Sequence, residues 1–277
     1  MLDLMIFDMK RVFCAFSVLV AFIWNSVSAY EVKSVPTENL PIIALVTIAV
    51  PDSYDADTTT RYPTVYLLNG HGGDHTSWRE HINIDSLATN YNVVIVCPAG
   101  LNSWYFDSPV KPLMKMESYI TKDLVSWVDN NYRTYPCAAQ RAITGLSMGG
   151  HGALWLAFRN ADIFGNAGST SGGVDFRRWT RSWNLPDFLG AYKTHKKNWD
   201  THTVMSLIDS PSLRNVNIIM DCGEQDFFFK VNNALHAALK NRGIEHVYLT
   251  SPGIHNWAYW TKSILPQLEF FNKCFQK

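Results

Sequence analysis

Ile143-Thr144-Gly145-Leu146-Ser147-Met148-Gly149-Gly150-His151-Gly152 sets a serine between two glycines, after a β-type run and before an alanine- and leucine-bearing helical run. A hydroxyl becomes a useful nucleophile when it is held outward, within reach of a base, on a turn too tight for ordinary side chains. Gly145 and Gly149 flank the turn because neighbouring Cβ atoms would collide there, and Gly152 lets the following helix pack closely. Strand, serine turn and helix together form a nucleophile elbow. A plain glycine-rich turn is the competing reading, and two partner residues downstream decide against it.

In an α/β-hydrolase the nucleophile is followed in the chain by an acid and then a histidine, on loops after later strands. Val216-Asn217-Ile218-Ile219-Met220 reads as a buried strand and runs into Asp221-Cys222-Gly223-Glu224-Gln225-Asp226. His246-Val247-Tyr248-Leu249-Thr250 reads as the next strand and ends in Ser251-Pro252-Gly253-Ile254-His255-Asn256-Trp257. His255 sits where the base belongs. Among the other histidines, His246 begins that strand and belongs to the opposite sheet edge, and His236 falls mid-helix. His195 and His202 fall in a polar insert, and His151 follows the elbow. For the acid, Asp221, Glu224 and Asp226 all lie near one strand end. Asp226 is favoured, because Asp221 belongs to the strand or its first turn.

The developing oxyanion needs two amide donors, each typically worth about 2.7–4 kcal/mol. The N–H of Met148, directly after the serine, is one. The strand-loop Tyr66-Leu67-Leu68-Asn69-Gly70-His71-Gly72-Gly73-Asp74 supplies the other, with the N–H of His71 as candidate. The rival for this loop is a metal site built on His71, Asp74 and His75. No third ligand cluster accompanies it, so no metal and no cofactor is expected.

These stretches carry a resemblance. Tyr66 to Gly73 with Ser77-Trp78, Gly145 to Gly150 with Gly152-Ala153, Cys222-Gly223-x-x-Asp226, and Gly253-x-His255-x-Trp257-x-x-Trp260 are similar to the motifs of the putative-esterase (esterase D) family. The resemblance spans nearly the whole chain after its N-terminus. That family includes tributyrin esterases, feruloyl and acetylxylan esterases of carbohydrate esterase family 1, S-formylglutathione hydrolases and mycolyltransferases. The resemblance implies a Ser147, Asp226, His255 triad with the amides of Met148 and His71 as oxyanion donors. One departure is Asn69, where many members carry histidine. The segment from Ser171 to Pro211 matches no family motif.

Composition points to one domain: 277 residues, 47% hydrophobic, can bury a large core. The 24 Lys+Arg balance 24 Asp+Glu, so no electrostatic footprint for nucleic acid is present. Strands are expected at Ala44–Val50, Thr64–Leu68, Val93–Cys97, Arg141–Leu146, Asn166–Ser171, Val216–Asp221 and His246–Thr250. Between them lie helix-like stretches, such as Glu117–Tyr132 with Ile120, Leu124 and Val128 on one stripe. This alternation predicts an α/β fold with a mostly parallel sheet covered on both faces. Ligands then bind at the carboxyl ends of the strands, where every nominated residue falls.

The N-terminus reads as a targeting segment. Lys10 and Arg11 precede the apolar run Val12–Trp24, and Val27-Ser28-Ala29 offers small residues for cleavage. A signal peptide over 1–29 and an esterase domain over 30–277 are therefore expected, with secreted or periplasmic localisation and no stable membrane association after cleavage. An uncleaved anchor is the alternative, and Met9 is an alternative start to Met1. Of the cysteines that remain, Cys97 and Cys222 lie near strand ends. Cys137 and Cys274 fall at the sheet edge away from the site, which makes them the expected disulfide.

Three tryptophans are candidates for the substrate pocket: Trp104 on the loop after a strand, Trp257 beside His255, and Trp179 in the insert. Core packing is the competing role for each of the ten tryptophans. The expected activity is a serine carboxylesterase acting on short-chain or hydroxycinnamoyl esters, small or polysaccharide-linked. An acyltransferase and a non-catalytic carbohydrate-binding protein are the alternatives. Export argues against S-formylglutathione as substrate.

Overall fold

The computed structural model describes residues 30–56 and 58–277; the expected signal peptide and the choice between Met1 and Met9 lie outside them. Eight strands make one sheet: β1 (Glu31–Ser34), β2 (Leu45–Ala49), β3 (Thr64–Leu68), β4 (Val94–Pro98), β5 (Arg141–Gly145), β6 (Asn166–Thr170), β7 (Asn217–Gly223) and β8 (Val247–Ser251). Their spatial order is β1-β2-β4-β3-β5-β6-β7-β8. β2 runs antiparallel to both β1 and β4, and all other neighbours are parallel. All seven expected strands are present, with ends shifted by at most two residues. β1 has no counterpart among the expected strands, because a four-residue edge strand with mostly exposed side chains buries no apolar face that would show as a pattern.

The central strands are buried on both faces, as parallel strands under crossover helices must be. Side chains alternate between two layers. Tyr66 and Leu68 of β3 and Ile143 of β5 face a core shared with α2 (residues 116–131) and α3 (Met148–Arg159). Val65, Leu67 and Ala142 face the other core, against α1 (Ile84–Tyr91) and the long C-terminal helix α5 (Trp257–Phe275). Helix α4 (Phe229–Asn241) precedes β8. The stripe Ile120, Leu124 and Val128 is fully buried, with one π-helical stretch at Tyr119–Leu124 inside α2.

Two expectations are corrected here. The segment after β6 is not a polar insert: its short helices Leu185–Leu189 and Lys196–Thr201 bury Leu185, Phe188, Leu189 and Trp199, with Phe176 ahead of them. Cys137 and Cys274 are free thiols, as are Cys97 and Cys222. The end of α5 does reach the edge that carries Cys137, since Gln140 Nε2 donates to the Phe275 carbonyl at 2.8 Å. The Cys137 residue is exposed, whereas Cys274 packs into the protein, so the two thiols do not bond.

Candidate active site

Ser147 occupies the turn between β5 and α3 with φ 57° and ψ −115°, a strained conformation for a residue with a side chain. The surrounding contacts leave no other path. A Cβ on Gly149 would stand 2.4 Å from the Leu68 carbonyl oxygen, and one on Gly145 would stand 2.6 Å from the same atom. The start of α3 is thus pressed onto the end of β3, and the serine is pushed outward. Ser147 N donates to the Thr170 carbonyl at 3.0 Å, which ties the elbow to the adjacent strand.

His255 Nε2 lies 2.9 Å from Ser147 Oγ, and His255 Nδ1 lies 2.7 Å from Asp226 Oδ2. A carboxylate can only accept, so Nδ1 carries the ring proton and Nε2 is left to accept from the serine hydroxyl. The other carboxylate oxygen, Asp226 Oδ1, accepts from the Phe228 amide at 2.7 Å. Both Asp226 oxygens are therefore committed, and the side chain is buried. The acid and histidine loops are also joined to each other. Gln225 N donates to the Gly253 carbonyl at 2.9 Å, and Gly253 N donates to Gln225 Oε1 at 2.7 Å.

The other two acid candidates do not approach the histidine. Glu224 is exposed, with its amide bonded to Ser251. Asp221 remains within β7, and its Oδ2 accepts from Thr170 Oγ1 at 2.9 Å and Gln267 Nε2 at 2.5 Å. Burial raises the Asp221 carboxyl to about 7, against the hydrogen bonds from Gln267 and Thr170 that lower it. Its carboxyl serves a buried polar network beneath the elbow, in which Thr144 Oγ1 also donates to Gln267 Oε1.

The loop after β3 lies against the serine: a Cβ on Gly70 would stand 3.5 Å from Ser147 Cβ. Met148 is the first residue of α3, where amides have no partner within the helix. Gly70, His71 and Ser147 all border one cleft of about 510 Å³. The neighbouring amides of the loop are already engaged, Gly72 N with Asn102 Oδ1 and Gly73 N with the Gly70 carbonyl. Asn69, the departure from the family pattern, is buried and braces this loop. Its Oδ1 accepts from Gly100 N at 2.9 Å and from Tyr105 Oη at 3.0 Å, while its Nδ2 donates to the Gly70 carbonyl. His71, Asp74 and His75 turn to separate partners: Asn184 Oδ1, Thr76 and Thr47 Oγ1 respectively.

Of the three nominated tryptophans, Trp257 lines the cleft, stacked on His81 at 3.9 Å between ring centroids. Trp179 borders a neighbouring depression. Trp104 is a correction: it is 1% exposed and lines neither. Leu101, Asn102, Trp104 and Tyr105 all adopt left-handed φ between 50° and 63°, which folds their loop beneath the insert. The Trp104 ring packs on Phe176 at 5.0 Å, and its Nε1 donates to the Trp183 carbonyl at 3.1 Å. In its place the insert presents Trp183 to the cleft. Phe227, absent from the residues nominated on sequence, lies 4.3 Å from the His255 ring and is 49% exposed. The run Phe227-Phe228-Phe229 directly after the acid is the signal that marks it. His151 belongs to the interior. It is fully buried between the carbonyls of Trp104 and His202, and burial depresses its pKa to about 4.

A strained serine, a histidine and a buried aspartate at the carboxyl edge of a mostly parallel sheet define a serine hydrolase of the α/β-hydrolase fold. The family profile described as "Putative esterase" matches residues 44–271, and the chain belongs to that family. It is 28% identical over 257 residues to an acetyl esterase from Caldicellulosiruptor saccharolyticus, covering 85% of this chain and 94% of that protein. It is 30% identical over 240 residues to an esterase of Mycobacterium tuberculosis, covering 76% of this chain and 52% of that protein. A solved structure titled "ferulic acid esterase" superposes with a TM-score of 0.78 at 23% identity, covering 89% of this chain and 98% of that one.

Proposed function

We propose that this chain is an exported serine carboxylesterase that cleaves short-chain or hydroxycinnamoyl esters carried on carbohydrate, through an acyl-enzyme. The observation that carries the reading is the hydrogen-bonded chain from Ser147 Oγ through His255 to Asp226, opening into an aromatic-walled cleft. In this reading Ser147 attacks the ester carbonyl while His255 Nε2 takes its proton. Asp226 holds the tautomer and stabilises the imidazolium without itself being protonated. The amides of Met148 and His71 hold the oxyanion. His255 then protonates the departing alcohol, and water, activated by the same histidine, clears the acyl group.

Trp183, Phe227, Trp257 and Trp260 give the cleft flat apolar walls around one reactive hydroxyl, which favours an acyl group or sugar ring presented face-on. The names of the acetyl and ferulic acid esterases it resembles agree with the two acyl classes. Export rests on the N-terminal pattern of Lys10-Arg11, the apolar run and Val27-Ser28-Ala29. The mature esterase would then start at Tyr30. The test is hydrolysis of p-nitrophenyl acetate, p-nitrophenyl butyrate and methyl ferulate by the mature chain beside Ser147→Ala. Turnover lost in the variant supports the reading, and the ranking of the three esters separates a short-acyl from a hydroxycinnamoyl pocket. Folded wild-type protein that turns over none of them contradicts it. Product partition with an added sugar acceptor separates hydrolysis from transfer.

A further inference from the structure

Beside the catalytic cleft lies a second depression of about 420 Å³, bordered by the cations Arg178 and Lys230, the acids Glu224 and Asp226 (the latter committed to His255 and the Phe228 amide), and the rings of Trp179 and Phe227. The two share Phe227, whose ring stacks on Trp183 at 5.8 Å and 17° on the catalytic side and meets Trp179 at 6.4 Å on the other. A half-exposed phenylalanine on a ridge between two hollows is not explained by core packing. Nor are the charges around the second hollow. From residue 175 to 200 the chain carries Arg177, Arg178, Arg181, Lys193, Lys196 and Lys197 against Asp175, Asp187 and Asp200, and of these Arg178 borders the hollow. Arg177 is held by Asp175 and Lys196 by Asp200. Arg178 and Lys230 are exposed and, among the described residues, make no ion pair.

The geometry points to a subsite in this second hollow for an acidic sugar, its ring lying on Trp179 and Phe227 and its carboxylate between Arg178 and Lys230. The inference rests on the esterase reading above: the ester would occupy the cleft of Ser147, and the uronate-bearing ring would sit across Phe227 from it. Two cations and two aromatic rings bordering one hollow discriminate by charge and by ring at once. Arginine adds a planar fork matched to a carboxylate, where lysine supplies a point charge. Lys230 also stands in the first turn of α4, where the helix dipole opposes a cation and favours an anion beside it. Glu224 borders the same hollow without pairing to either cation, and is placed to accept from a sugar hydroxyl.

The test measures binding of an oligogalacturonate, a neutral xylo-oligosaccharide of equal length and a sulfated oligosaccharide to the mature Ser147→Ala protein by calorimetry. The uronate is expected to bind at least ~10-fold tighter than the neutral sugar, with the advantage shrinking as salt screens it. Arg178→Ala with Lys230→Ala should erase that advantage, and Arg178→Lys should keep part of it, with Tm confirming that each variant folds. Equal binding of acidic and neutral sugars overturns the subsite, as does uronate binding that survives the double substitution. Sulfated sugar binding as tightly as uronate overturns the carboxylate assignment. The ester panel stays independent: if p-nitrophenyl acetate is cleaved through Ser147 but uronate preference is absent, only the subsite fails.

Discussion

Replacing Asp226 with asparagine removes one charge, leaves the shape almost intact, and forces a choice on the amide. Asp226 Oδ1 accepts from the Phe228 amide and Oδ2 accepts from His255 Nδ1, each at 2.7 Å. An asparagine that keeps its oxygen toward Phe228 must turn its NH2 toward His255. The imidazole then accepts at Nδ1 and carries its proton on Nε2, where it faces Ser147 Oγ at 2.9 Å as a donor and can no longer act as base. The flipped amide instead sets NH2 against the Phe228 N–H, two donors at hydrogen-bond distance in a buried site, which is the costlier arrangement. The wrong tautomer therefore dominates. In a serine triad that error costs about 10⁴ in kcat, or roughly 5.4 kcal/mol at about 1.36 kcal/mol per decade. Stopped-flow or steady-state hydrolysis of p-nitrophenyl acetate by Asp226→Asn should show the fall in kcat with little change in Tm. A loss below about tenfold would refute the argument.

Further outcomes arise in the interior. Asp221 is 2% exposed and its folded pKa of about 7 lies above its ordinary 3.8, so its contribution to stability is full below that ordinary value and is lost as pH rises through 7. Asp221→Asn should therefore gain stability relative to wild type between about pH 4 and pH 7, by up to ~1.4 kcal/mol per pH unit. Denaturant melts across that range check it, and a pH-independent difference would count against it. His151 works in the opposite sense. Its depressed pKa gives stability above 6.5 that is lost as pH falls toward 4, so in wild type the two slopes oppose each other. Trp104→Ala should act on stability, costing about 3–5 kcal/mol for a buried tryptophan and lowering Tm on the order of 10 °C at roughly 2–4 °C per kcal/mol. Trp257→Ala should instead change KM and the ranking of esters. A Trp104→Ala protein with unchanged Tm and altered ester preference would reverse that assignment.

The elbow, the histidine and the acid were legible because each is a local signal: a glycine-flanked serine, and two strand ends that each run into a short loop. The parallel strands were legible because crossover helices bury both their faces and leave unbroken apolar runs. What escaped depends on contacts between distant segments. Trp104 follows a strand at the correct edge of the sheet, yet consecutive left-handed residues turn its ring inward under an insert some 80 positions later. The same insert looked polar because its charges are frequent, while its few large apolar residues form the buried layer. Phe227 became a cleft residue only through the turn that aims Asp226 at His255. Cys137 and Cys274 reach one edge as the topology requires, but edge position does not set side-chain direction, and a disulfide needs both.

The central claim is that Ser147 is a nucleophile activated through His255. It is tested most directly by treating the folded mature chain with a fluorophosphonate ester and mapping the adduct by peptide mass spectrometry. The account predicts a single phosphonyl group on Ser147, formed several powers of ten more slowly in His255→Ala. An unmodified Ser147 in folded protein, or labelling that proceeds at the same rate without His255, would contradict it.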